Sequence, residues 1–144
     1  MSLIKVIGLS AVTKAITGKQ KEIEKGAVRG LIKAGLIIER DAKKNAPVDT
    51  GNLKASGFTL WRKSDVTVGP FEGRDASKVA DDTGDLVSRL RAVLKKNQVA
   101  VGFGANYGLY VHELHAEKKR FLLKAIKKNK ARILKVMSKE IQKG

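Results

Sequence analysis

No cysteine occurs among the 144 residues. That excludes a disulfide framework, a thiolate metal site and a cysteine nucleophile. Proline is nearly as scarce, with Pro47 and Pro70 alone. Aromatic residues make up 5% of the chain, as four Phe, two Tyr and one Trp. So thin a supply argues against a stacking platform for single strands or a sequence-reading RNA module. No apolar run approaches the ~20 residues that span a bilayer. Leu3-Ile4-Lys5-Val6-Ile7 is too short and too interrupted for a secretory h-region, so the chain is expected in a reducing compartment. Acids are also under-represented: 14 Asp and Glu stand against 30 Lys and Arg, a net charge of +16.

That charge is unevenly spread. Residues 118–144 hold eleven Lys or Arg and a single acid, Glu140. Residues 1–21 add Lys5, Lys14, Lys19 and Lys21 with no acid. Such a balance implies an acidic partner, whether nucleic acid, an anionic surface or an acidic protein face.

The chain length fits one domain, 1–144, large enough to bury a core. Residues 1–18 read as a short strand ended by Gly8, then a short helical turn capped by Ser10 and broken by Gly18. Residues 19–45 read as a long helix. Ile23, Ala27, Leu31, Ala34, Ile38 and Ala42 recur at steps of three and four, which puts them on one face. Gly26, Gly30 and Gly35 each weaken that helix by about 1 kcal/mol relative to alanine. Either they are tolerated, or Gly30 and Gly35 allow a strand or a neighbouring subunit to approach closely.

Pro47 ends the helix, because it biases Ala46 out of the helical region and has no backbone N–H. Asp49 and Thr50 can bond nearby amides, and Gly51 tolerates positive φ. The corner Asp49-Thr50-Gly51-Asn52-Leu53 is partly copied 33 residues later as Asp82-Thr83-Gly84-Asp85-Leu86. In the same register Val66-Thr67-Val68-Gly69 matches Val99-Ala100-Val101-Gly102. This echo predicts two β-hairpins across residues 46–113, each opening on a DTG corner, with an exposed loop at 70–82 between them. Residues 117–143 read as a second long helix. Leu122, Ala125, Ile126, Ile133, Val136, Met137 and Ile141 form its apolar stripe, and most of the rest is Lys and Arg. The expected class is therefore α+β: an antiparallel β-sheet of hairpins on a long helix, with a basic C-terminal helix.

The candidate chemical motifs are weak. His112-Glu113-Leu114-His115 places its second histidine one residue too early for the metalloprotease pattern, which needs both imidazoles on one helix face. Asp75, Asp81, Asp82 and Asp85 lack the alternating spacing and closing Glu of an EF-hand loop. The two Asp-Thr-Gly tripeptides also occur at aspartic-protease catalytic centres, but here Asn52 and Asp85 follow the glycine where that family has Ala or Ser. No phosphate-binding loop or dinucleotide fingerprint is present. No enzymatic activity, metal or cofactor is expected. The basic helix carries the functional weight, and it can meet a nucleic acid through phosphates without sequence preference or serve as a solvated or protein-facing surface.

Taken in order, these features resemble the small minor tail component, or neck, proteins of tailed bacteriophages. The resemblance spans most of the chain. Gly8-Leu9 follows the first strand, Ala46-Pro47-Val48-Asp49-Thr50-Gly51-Asn52-Leu53 matches the helix-ending motif in full, and Lys54-Ala55-Ser56 follows it. Val101-Gly102 ends a strand, Tyr107-Gly108-Leu109-Tyr110-Val111-His112-Glu113 resembles the next segment, and Arg120-Phe121-Leu122-Leu123-Lys124-Ala125 precedes the last helix. The chain departs from the pattern in having Leu114-His115 after the Glu, no proline before Phe121, and the extra copy from Asp82 to Gly102.

The resemblance implies a structural virion protein at the head–tail junction or tail end, assembled in the host bacterial cytoplasm as a ring around the DNA channel. Its implied partners are copies of itself and other connector, head-closure, tail-tube or terminator proteins, with DNA in the channel as a further contact. No membrane and no small-molecule substrate is implied. Pro47, Asp49, Thr50, Gly51, Asp82, Thr83, Gly84 and the loop at 70–82 are then candidates for subunit contact. Lys124, Lys127, Lys128, Lys130, Arg132, Lys135 and Lys139 are candidates for facing an acidic partner or DNA. The competing expectation is a cytoplasmic nucleic-acid-binding module without sequence preference.

Overall fold

The computed structural model of the protein describes residues 3–8, 20–46, 51–62, 64, 66, 68–105 and 120–143. In chain order its elements are β1 (Leu3–Gly8), α1 (Gln20–Asn45), the single turn α2 (Asn52–Ala55), β2 (Gly57–Trp61), α3 (Ala76–Val93), β3 (Gln98–Phe103), α4 (Phe121–Lys128) and α5 (Lys130–Lys143). The class is α+β, with an antiparallel sheet, a long helix and a C-terminal helix packed on that long helix.

The sheet order is β1-β3-β2, and both pairings are antiparallel. Leu3 opposes Phe103 and Gly57 opposes the same residue from the other side, so β3 is the central strand. A central strand is buried on both faces, and Val99 to Phe103 are all buried. Side chains alternate across it. Ala100 joins Phe58 and Leu60 of β2 against Leu86 and Leu90 of α3 and the adjoining Leu94. Val99 points to the opposite face, against Ala27 and Leu31 of α1. The layers therefore run α3, sheet, α1, then α4 and α5.

Helix α1 is buried on two sides. Ala27, Leu31, Ala34, Ile38 and Ala42 form the expected stripe, and all five are buried. Its glycines are used for close approach, on two different faces. A Cβ on Gly35 would lie 2.7 Å from Thr59 Cγ2 and 3.1 Å from Val99 Cγ1, so the sheet sits there. A Cβ on Gly30 would lie 2.9 Å from Met137 Cα, and one on Gly26 would lie 2.6 Å from the Glu140 carbonyl oxygen. Helix α5 sits against those two. At the far end Phe121 of α4 meets Phe103 of β3 edge-on, with ring centroids 5.0 Å apart and planes at 86°.

The expected hairpins require correction. Residues 82–84 are not a corner but lie inside α3, and the loop expected at 70–82 ends where that helix begins, at Ala76. Val79, Thr83, Leu86 and Leu90, all buried, are spaced by four, three and four residues, which is a helical period. As a strand the same stretch would have split its apolar residues between two faces. Among the described residues the expected return strand of the first hairpin is also not formed. Residues 66, 68 and 69 are irregular, although Val66 and Val68 still pack on the cluster around Leu86 and Leu90. Strand β2 pairs instead with β3, across the whole α3 connection. The short helical turn expected at 10–16 and the histidines at 112 and 115 lie outside the described residues.

The two kinds of glycine separate cleanly by mutation. Gly30→Ala adds a methyl where α5 already touches. It is expected to destabilise by about 1–3 kcal/mol from overpacking, despite better helix propensity. A methyl on Gly84, in mid-α3, would meet nothing within 4 Å. Gly84→Ala is expected to stabilise by about 0.5–1 kcal/mol. Thermal unfolding of the two variants beside the parent checks the pair, and equal shifts of one sign would contradict the layering.

Candidate interaction surface

Three arrangements of polar residues stand out, and each is built by a different part of the fold. The first is the corner after α1. Pro47, Asp49 and Thr50 lie outside the described residues. Gly51 follows with φ of +84° and is half-buried, which suits glycine. Asn52 is buried and holds the loop 20 residues on, its Nδ2 donating to the Glu72 carbonyl at 2.7 Å and its Oδ1 accepting from the Glu72 amide at 2.9 Å. Ser56 Oγ donates to the Leu53 carbonyl and accepts from the Ala105 amide. The Gly69 amide donates to the Ala55 carbonyl. One helical turn thus ties the loop before α3 and the end of β3 together.

The second arrangement is the expected copy of that corner. Thr83 is fully buried, its hydroxyl donates to the Val79 carbonyl at 2.7 Å, and it packs under Gly104. A mid-helix threonine commonly back-bonds in this way. Its side chain is used up inside the fold. Asp82 is half-buried, and its Oδ2 has no hydrogen-bond partner among the described residues. Gly84 is exposed on the outer face of α3. Asp75 and Asp85 are exposed, and among the described residues no three His, Asp or Glu side chains group closely enough to hold a metal ion.

The third is the outer face made by α4 and α5. Lys124, Lys127, Lys128, Lys130, Arg132, Lys135 and Lys139 are all exposed. The two helices are nearly continuous, because the Asn129 amide donates to the Ala125 carbonyl and the Ile133 amide donates to the Asn129 carbonyl. Asn129 also anchors this junction to α1, through its Nδ2 on Asp41 Oδ2 at 2.8 Å. Lys128 reaches the same Asp41 at 3.8 Å.

Glu140 is the residue that sequence reasoning misses. In the sequence it is visible only as the lone acid of the basic segment. The structure buries its side chain to 5% exposure against α1. Lys33 bonds one carboxylate oxygen, Lys143 bonds the same one at 3.3 Å, and Arg29 bonds the other at 3.3 Å. The charge excess nearby makes this acid a seam between helices. Lys33 is the main reason its carboxyl is held down to about 2 from an ordinary 4.5; burial opposes the shift, and Lys143 and Arg29 add to it. Beyond Arg29 a hollow of about 480 Å³ opens, lined by Glu24, Lys25, Val28, Arg29, Lys96 and Asn97.

No described helix is long and apolar enough to cross a membrane. In comparisons with known proteins, no family model, no curated protein and no solved structure matches this chain.

Two expectations follow. A carboxyl whose folded pKa is depressed stabilises the fold above its unfolded pKa and loses that contribution as pH falls through the folded value. Glu140 should therefore support α5 docking fully above pH 4.5 and lose that support toward pH 2. Glu140→Gln should unfold at lower temperature than the parent at pH 7, with the gap closing as the pH approaches 2. A gap that stayed constant across that range would show that the carboxylate charge is not what holds the seam. Asn52→Ala strips both partners from the Glu72 backbone and should cost about 1–3 kcal/mol in urea unfolding.

Proposed function

We propose that this chain is a structural virion protein of a tailed bacteriophage, a neck, head–tail connector or tail-completion component that works as a ring of copies at the head–tail junction. The observation that carries the reading is the full match of residues 46–53 to the family's helix-ending motif. Its support lies in where the matching residues fall. Ala46 closes α1 and is buried, Asn52 and Leu53 are buried in the tied corner, and Phe121, Leu122 and Ala125 are buried at the docking of α4. The described motif residues lie at the joints of this fold, and a shared set of joints is what a shared architecture would keep.

A ring needs heterologous contacts that close. The corner at Gly51 and the polar stretch from Pro70 to Asp75 lie at the surface beside each other, tied through Asn52, and offer one such patch. The partners in this reading are further copies of the chain and the connector, head-closure, tail-tube or terminator proteins above and below it. A second reading, a nucleic-acid-binding module without sequence preference, is favoured by the eight exposed cations on α4 and α5.

The deciding experiment is mass measurement of the full chain, alone and mixed with tail or connector particles, followed by electron microscopy. The expected outcome is a closed ring of defined copy number, free or seated on the particle. A chain that stays monomeric with the particles and is never retained on them overturns the assignment.

A further inference from the structure

The eight Lys and Arg of residues 124–143 are not scattered around their helices. Lys124, Lys128, Arg132, Lys135, Lys139 and Lys143 follow one another at steps of four, four, three, four and four. At 3.6 residues per turn these six fall within about 100° of arc, on a row about 28 Å long. All six are exposed. Lys127 and Lys130 fall off the row. The row lies along the seam with α1, because Lys143 shares Glu140 with Arg29 and Lys33. Arg29 and Lys33 are about half exposed, at 47% and 52%, and extend the cationic strip onto the neighbouring helix. The acids on this face are recessed: Glu140 is 5% exposed and Asp41 is 16%. A partner therefore meets cations first.

We propose that this row binds the phosphate backbone of double-stranded DNA, without reading its sequence. The inference rests on the virion reading and deepens it by naming what one face of the protein meets. The residue types select the partner. Five of the six are lysine, a residue depleted at protein–protein interfaces, whose energetic anchors are Trp, Tyr and Arg. No aromatic residue occurs from 122 to 143, so bases of a single strand have nothing to stack on. The exposed Leu134 projects away from the row. What remains is a straight line of flexible cations spaced about 5–6 Å apart along a rigid rod, and a duplex presents a charge about every 1.7 Å of its axis. Six phosphate contacts predict that log affinity falls against log salt with a slope of about −5, or about 10³-fold between 50 and 200 mM.

The test uses the full chain, a fluorescent duplex of about one row length or more, and two variants of equal net charge. The row variant carries Lys128→Gln, Arg132→Gln, Lys135→Gln and Lys139→Gln. The off-row variant carries Lys78→Gln, Arg89→Gln, Lys127→Gln and Lys130→Gln, all at exposed positions. The parent should bind with the steep salt slope. The row variant should lose about 3–4 from that slope, and the off-row variant about 1 or less. Thermal melts should show both variants folded, the row variant at or above the parent because it removes like-charge pairs, since no substituted side chain is buried. Equal losses in the two variants, or no binding by the parent at 50 mM salt, overturn the proposal. Poly-glutamate binding the row as tightly as the duplex also overturns it, in favour of an acidic protein face. Binding is read on the unassembled chain, so failure here leaves the ring experiment standing, and failure to form rings leaves this one standing.

Discussion

Everything in this fold depends on one helix being approachable from two sides. Helix α1 lies between the sheet and the C-terminal helices, and large side chains on both of its faces would hold those layers apart. Small residues let them close. Ala27, Ala34 and Ala42 line the stripe with Leu31 and Ile38, Gly35 admits the sheet, and Gly26 and Gly30 admit the backbone of α5. The propensity cost of three glycines, about 1 kcal/mol each, is offset by contacts that no larger residue would permit. Glycine spacing in α1 thus fixes how near α5 comes, and with it where the cations of α5 are displayed.

The basic helix raises a second physical question, which is how it stays folded. Like charges at i, i+4 destabilise a helix by about 0.2–0.5 kcal/mol per pair, and the row from Lys124 to Lys143 contains four such pairs. Packing answers most of it. Phe121, Leu122 and Ala125 are buried and Ile126, Ile133, Met137 and Ile141 are packed against the core clusters. Glu140 supplies the rest, because it draws cations of both helices onto one buried carboxylate. A buried charge is tolerable only when it is fully paired, and in a segment so rich in Lys and Arg pairing is readily met.

Much of this architecture is legible in the sequence where the signal is local. The stripe of α1 needs only its own period, the end of the helix at Asn45 needs only the proline two residues on in the sequence, and the apolar stripe of the C-terminal helix survives its surrounding charge. Residues 82–95 mislead for an equally physical reason. Asp82-Thr83-Gly84 repeats the tripeptide that follows α1, so a short motif competes with a longer period, and the period wins. In α3 the tripeptide has no corner to make: Thr83 is absorbed by a back-bond to Val79, and Gly84 faces open space. Val79, Thr83, Leu86 and Leu90 carry the correct signal once threonine is counted as a residue that can be buried. The β2–β3 pairing has no local signature, because its partners lie about 40 residues apart with a helix between them. Glu140 and Asn52 are hidden for the same reason: their partners lie 107 and 20 residues away.

The layering also sorts charge by depth. Helix α3, on one outer side of the sheet, carries Asp81, Asp82 and Asp85 against Lys78, Arg89 and Arg91, close to balance. On the opposite outer side, α4 and α5 carry eight Lys or Arg and one acid, and that acid is buried. Among the described helices the charge is therefore uneven, near zero on α3 and strongly positive on α4 and α5. A molecule built in this way turns a definite face toward any polyanion it approaches, before a single contact forms. On the proposed reading, contact between copies through the α3 side and attraction of a polyanion to the α4–α5 side use different surfaces, because α1 lies between them.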